Sequence, residues 1–267
     1  MKRSYLTVNL TDLNDLPKMN RWLFKDHAPD VVSQIGTILA KYTTYRALPI
    51  PEGGGLYGAY NWRMTEHYWL EDPFGKEQLQ HGTAMSEIWV EGYNEAVGNP
   101  ADSKSRGDWS KDGTNPNAHP PAFVFCKTRP DNSFKGEGIT LNDGPFFRFV
   151  VTFKYPEGVA FDDGEAWFLE QFMPEVCKQE DLLRAFSYKA IPPHVSPFQR
   201  ILELWYKDSR TWKRNWVDNV PNVTKPVWAT HDRPPYLVPY KDMVCIFLEE
   251  APERDFLRGA MPYYVTS

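Results

Sequence analysis

Two hydrophobic periods, one of strands and one of helices, follow each other in the same order twice along the chain. Runs of aromatic and β-branched residues predict an opening strand over Tyr5–Leu10 and again over Phe147–Tyr155. In the first half Leu16, Met19, Leu23 and His27 then recur at three- and four-residue steps, the spacing of one helical face. Asp12 or Asn14 can cap that helix, and Pro29 would kink or restart it. Second and third strands are predicted over Leu39–Leu48 and Leu56–Trp69, with counterparts at Leu183–Ile191 and Arg200–Tyr206. A second helix is predicted over Ser209–Val217, where Trp212 and Trp216 share a face, and its weaker counterpart lies near Glu77–Val97. Between Glu91 and Pro121 the chain is polar and rich in Gly, Asn, Asp and Pro, the composition of an insertion or long loop.

The repeat is visible in the residues themselves. Trp22-Leu-Phe-Lys-Asp-His-Ala-Pro29 is echoed by Trp167-Phe-Leu-Glu-Gln-Phe-Met-Pro174, with Trp and Pro seven residues apart in both. Tyr45-Arg-Ala-Leu-Pro49 is echoed by Tyr188-Lys-Ala-Ile-Pro192, and Glu66-His-Tyr-Trp69 by Glu203-Leu-Trp-Tyr206. The segment that begins at Ala122 resembles the one that begins at Val244. Matches in one order predict two halves, residues 1–131 and 145–267, each a β-α-β-β-α-β unit of ferredoxin-like type. The expected fold class is therefore α+β, with tandem ferredoxin-like repeats whose bare sheet faces pack together as a barrel within one chain and enclose a cavity.

Composition narrows the function. The 267 residues are 42% hydrophobic, enough for a substantial core. Lys plus Arg number 30 against 35 Asp plus Glu, a net charge of −5 without a basic run, which argues against nucleic acid as a partner. Apolar stretches such as Met243–Leu248 are far shorter than the ~20 residues that span a bilayer. Met1-Lys2-Arg3-Ser4 leads into a strand rather than a signal sequence, so no membrane partner and a soluble, cytoplasmic protein are expected. Cys126, Cys177 and Cys245 sit in apolar surroundings and read as buried thiols. An aromatic content of 15%, with 10 Trp and 14 Tyr, suits a pocket for a flat apolar ligand or a domain interface. A chain that holds both halves has less need of a dimer to close its barrel, so a monomer or homodimer is expected.

Asp26-His-Ala-Pro29 ahead of a Tyr-rich strand, with Glu203-Leu-Trp-Tyr206 in the second half, resembles the EthD-like branch of the dimeric α+β barrel superfamily, here duplicated within one chain. That resemblance implies the barrel fold. It also implies one of several cofactor-free chemistries on phenolic or lactone substrates, among them lyase, isomerase, cyclase, decarboxylase and monooxygenase, or no chemistry at all.

Duplication lets each half serve as the control for the other. Trp22, Pro29, Tyr45 and Pro49 have partners, which packing and turn geometry explain. His27 matches Phe172, His67 matches Leu204 and Asp26 matches Gln171, so the first half carries titratable groups where the second mostly carries apolar ones. Along Leu56–Trp69, alternation puts Tyr57, Ala59, Asn61, Arg63, Thr65, His67 and Trp69 on one face, expected to face the barrel cavity. Tyr60, Trp62, Met64, Glu66 and Tyr68 are expected beneath the helices.

His27 and His67 are the acid–base candidates, because imidazole both accepts and donates a proton near neutral pH. Neighbours on a helix do not share a face, so Asp26 is not paired with His27. Arg63 is the candidate for stabilising an oxyanion, with Tyr45 or Tyr60 donating to the same oxygen. Tyr60, Asn61, Thr65 and Trp69 are the candidate ligand-binding residues, joined by Tyr188, Arg200 and Tyr206 from the second half. No G-x-G-x-x-G opens a helix, and the P-loop, H-E-x-x-H and G-x-S-x-G patterns are missing. Gly53-Gly54-Gly55 reads as a turn, and His119 and His231 sit in Pro-rich loops. No cofactor and no metal are expected. The leading expectation is a cofactor-independent lyase or isomerase acting by His acid–base chemistry on a small aromatic or phenolic molecule. The alternatives are a non-catalytic binding or oxygenase-accessory protein for an aromatic compound, and a cofactor-free monooxygenase.

Overall fold

The computed structural model describes residues 1–10, 13–71, 122–194 and 196–260. The helix expected near Glu77–Val97, the polar stretch to Pro121 with its His119, and the candidate cap Asp12 lie outside them. In the first half β1 (Lys2–Val8) leads through α1 (Leu16–Arg21) and α2 (Ala28–Ile35) to β2 (Leu39–Arg46). Then come β3 (Ala59–Tyr60), β4 (Arg63–Trp69) and β5 (Ala122–Lys127). After β6 (Asn132–Lys135), the second half runs β7 (Phe147–Phe153), α3 (Phe161–Trp167), α4 (Met173–Cys177), β8 (Arg184–Lys189) and β9 (Arg200–Tyr206). It continues with α5 (Ser209–Lys213) and β10 (Met243–Leu248), and the described chain ends in β11 (Arg254–Asp255) and α6 (Phe256–Ala260).

Both sheets have one plan. The strands run β2-β4-β1-β5 in the first and β8-β9-β7-β10 in the second, antiparallel throughout, which is the ferredoxin-like order twice. Their inner faces pack on each other through Tyr5, Tyr45, Met64 and Val124 on one side and Val150, Phe186, Ile201 and Trp205 on the other. At the sheet edges Leu48 N–H donates to the Phe247 carbonyl and Ile191 N–H to the Phe125 carbonyl, each at 2.8 Å, and these bonds close the barrel. Met19, Trp22, Leu23 and Val31 cover the outer face of the first sheet. Trp167, Phe168, Phe172, Trp212 and Trp216 cover that of the second.

Each half also lends the other an edge strand: β3 pairs in parallel with β10, and β11 pairs with β2. The first of these loans breaks the single strand expected over Leu56–Trp69. Gly58 takes a left-handed φ of 70° and its carbonyl accepts from Cys245 N–H at 2.9 Å. A side chain there would meet the Met243 carbonyl at 2.7 Å, so only glycine lets the two backbones approach. The chain then bends at Asn61-Trp62 and enters the first sheet as β4.

The expected effect of the prolines is also visible. A wide π-helical turn over Trp22–His27 precedes Pro29, and one over Phe168–Phe172 precedes Pro174. Each proline sits at the first turn of the next α-helix, where its missing N–H costs least, and the widened turn lets the helix pass it without breaking. In both halves this geometry stacks the turn's ends: Trp22 on His27 at 4.6 Å between ring centres, and Trp167 on Phe172 at 5.3 Å. No helix among the described residues is long and apolar enough to cross a membrane.

Candidate functional site

His27 hangs from the π-helical turn and His67 rises from β4, and both are buried between the first sheet and its helices. The strand puts His67 opposite Ser4 of β1 and Tyr42 of β2. Aromatic rings surround it, with Tyr42 at 4.6 Å, Trp69 at 5.3 Å and Phe123 at 6.3 Å between ring centres. Ser4 Oγ lies 3.2 Å from His67 Nδ1 and accepts the Trp69 indole N–H at 2.9 Å. The tail helix α6 closes the layer, with Phe256 at 4.8 Å from the Tyr42 ring.

Burial disfavours the charged imidazolium and lowers His27 from 6.5 to about 4. His67 is lowered to about 3, first by burial and then by His27, which lies close enough for its charge to matter. Both rings are therefore neutral at pH 7, each with one nitrogen to donate and one to accept.

These placements correct the expected faces of β4. His67, Thr65, Arg63 and Trp69 point away from the barrel toward the helix layer, while Met64 and Glu66 point into it. The barrel interior is not a chamber lined by the histidines. It holds an ion cluster: Arg3 Nη2 lies 2.8 Å from Glu66, Arg148 Nη2 lies 3.5 Å from Glu66, and Arg148 Nε donates to Glu203 at 2.7 Å. Glu203 also accepts from the Trp205 indole at 2.7 Å, and Arg148 covers the Tyr45 ring at 4.7 Å. Burial alone would raise the Glu66 carboxyl, but Arg3 and Arg148 hold it below the usual carboxylate range.

The cluster obeys the internal symmetry. Tyr5 faces Glu66 as Val150 faces Glu203, which makes Arg3 and Arg148 equivalent positions two residues earlier. Arg3 and Arg148 were not singled out from sequence, and the signal lay in the matched Glu66 and Glu203, each in the middle of an aromatic strand.

The remaining candidates separate by location. Tyr45 and Tyr60 lie in the barrel interior, and so does Tyr188, whose hydroxyl accepts from Arg3. The sheet stands between them and the imidazoles. Asn61 ties the chain to the end of β1, accepting from Leu10 N–H at 2.8 Å and donating to its carbonyl at 2.9 Å. Arg63 shares the His67 face but is held by Glu253 and by Asn20 at 3.0 Å. Arg200, bound to Glu165, Ser187 and Asn132, and Tyr206, bound to Gln179 and Trp216, belong to the helix side of the second sheet. The structure thus groups His67 and Trp69 with Ser4 and Tyr42, sets His27 on Trp22 in the same layer, near enough to act on His67 electrostatically, and leaves Thr65 buried one alternation away. Among the described residues no group of three His, Cys, Asp or Glu side chains is arranged to hold a metal ion.

In the second half the same positions are apolar. Phe149 stands for Ser4, Leu204 for His67 and Phe172 for His27, and Phe149 faces Leu204 across the strands as Ser4 faces His67. The void beside them, lined by Phe149, Trp167, Phe172, Leu202 and Trp216 among others, measures about 10 Å³, the room one water needs.

Residues 1–102 match the family model of the chalcone isomerase N-terminal domain, a different family from the EthD-like branch that the motifs resemble. No curated protein matches the chain. Among solved structures, an anthrone oxidase-like protein is similar at 9% identity over 95% of this chain and 91% of its own, with a TM-score of 0.49. A chlorite dismutase variant from Candidatus Nitrospira defluvii, in complex with cyanide, is similar at 8% identity over 96% of this chain and 92% of its own, with a TM-score of 0.42.

Proposed function

We propose that the protein is a cofactor-independent isomerase that moves a proton within a phenolic, chalcone-class ligand, with His27 and His67 as the acid–base pair. The observation that carries this reading is the pairing itself. Two neutral imidazoles share one buried, aromatic-walled face, inside the stretch that matches the chalcone isomerase N-terminal domain, and the twin half has hydrocarbon at both positions.

Isomerisation of such a ligand requires only proton handling. A phenolic hydroxyl gives up its proton, its oxygen adds to the carbon–carbon double bond conjugated to the ketone, and the resulting enolate takes a proton at carbon. The molecular formula is unchanged, so no oxidant, reductant or group carrier is consumed. One imidazole accepts the phenolic proton and the other donates its N–H to the ketone oxygen as negative charge builds there. Burial makes the imidazoles weak bases in the closed protein. The phenolate formed beside the imidazolium supplies the opposite charge that favours the protonated ring.

The test is turnover of hydroxychalcones by the purified full chain, read as loss of the long-wavelength absorbance when conjugation breaks. His27→Ala and His67→Gln are each expected to lower the rate by about 10²- to 10⁴-fold. Full activity in both variants overturns the acid–base role. Thermal stabilisation by the ligand without turnover makes the chain a binding protein instead.

A further inference from the structure

We infer that Ser4 is a positioning residue that holds His67 in the tautomer protonated at Nε2, making His67 the hydrogen-bond donor of the pair and His27 the proton acceptor. The division of roles rests on the reading above, whereas the tautomer does not. Ser4 is fully buried on β1, directly opposite His67. An indole nitrogen can only donate, so at 2.9 Å Ser4 Oγ accepts from Trp69. The serine hydroxyl still has its own proton to place, and the acceptor within reach is His67 Nδ1 at 3.2 Å. A neutral imidazole that accepts at Nδ1 carries its proton on Nε2. Ser4 occupies Nδ1, so the nitrogen from which His67 can donate is Nε2.

The relay is not a requirement of the scaffold. Phe149, Leu204 and Tyr206 occupy the positions of Ser4, His67 and Trp69 in the second sheet, and the same strands pair in the same register. A chain that needed only to fill this layer had hydrocarbon available for the serine and histidine positions, as Phe149 and Leu204 show in its own other half.

The test is a long-range ¹⁵N–¹H correlation spectrum of the full chain, with His67 assigned by its loss in His67→Gln. The wild type is expected to show His67 protonated at Nε2 alone. Ser4→Ala is expected to populate both tautomers and to lower kcat about 10- to 100-fold, with KM changed far less. Ser4→Thr keeps the hydroxyl and is expected to restore both readouts. A wild-type His67 protonated at Nδ1, or a Ser4→Ala spectrum unchanged from wild type, overturns the positioning role. If Ser4→Ala does not fold, the wild-type and Ser4→Thr spectra decide the matter. An Nε2–H signal in a protein that turns over no chalcone would leave the tautomer standing and remove only the isomerase reading.

Discussion

The outer faces of the two sheets are built on one frame and filled with opposite chemistry. Beneath the second helix layer Phe149, Leu204 and Phe172 belong to one apolar cluster, whereas beneath the first Ser4, His67 and His27 take the same positions. Each frame has the same π-helical turn, the same proline after it and the same stacked ring pair. Burying two imidazoles costs the first half stability in acid, and the second half shows that the backbone does not require them. The barrel interior teaches the converse. Its arginines and glutamates are matched across the halves, Arg3 with Arg148 and Glu66 with Glu203, so that cluster belongs to the scaffold that joins the sheets. Polar groups present in both copies hold the fold, and polar groups present in one are the ones proposed to carry chemistry.

The largest expected effect comes from making the first half resemble the second. His27→Phe combined with His67→Leu should abolish chalcone turnover, a loss of at least about 10²- to 10⁴-fold, while the folded content seen by circular dichroism is kept. Turnover that survives in the double variant would erase the functional distinction between the halves.

Removing a matched group should instead damage the fold. Arg148→Met leaves Glu66 and Glu203 short of their shared buried cation and should cost on the order of 3–5 kcal/mol in denaturant unfolding. A cost close to zero would show that the cluster does not tie the sheets together.

Acid should next discriminate between the two faces. Unfolded, each imidazole takes a proton near pH 6.5, while folded His27 resists until about 4 and His67 until about 3. Above pH 6.5 both states are neutral and this contribution to stability is fully present. As pH falls from 6.5 toward 4 the unfolded chain binds protons that the native state refuses, and stability drops by up to about 1.4 kcal/mol per pH unit for each imidazole. The His27→Phe, His67→Leu variant should therefore show a flatter acid limb between pH 6.5 and 4. An equally steep limb would assign the acid sensitivity to other groups.

The smallest effect is expected from the reverse exchange. Phe172→His places an imidazole against Trp167 with no serine relay beneath it, and should cost about 1–3 kcal/mol without creating activity. Gain of turnover in this variant would mean that the first half's surroundings are not needed.

Much of the fold was legible because its signals are local. The helical face of Met19, Leu23 and His27, the strand Arg200–Tyr206, and the Trp212–Trp216 face all follow from periods of two and three to four residues. The repeat was legible for the same reason, and it singled out His27 and His67 by their apolar counterparts. Which way β4 faces was not. Alternation defines two faces but gives them no sign when both are buried, as here, where every residue of β4 except Tyr68 is buried. Gly58 also breaks the run that the alternation was read through, by sending β3 into the other sheet.

The amino-acid sequence by itself determined the elements, their order and the inequality of the two halves, because period, proline position and internal comparison act over short stretches of chain. Only the tertiary structure decided that the imidazoles lie outside the barrel and the ion cluster inside it. Arg3, Glu66, Arg148 and Glu203 meet from four strands of two sheets, and no local pattern records which buried face will receive a charge from a residue so distant in the chain.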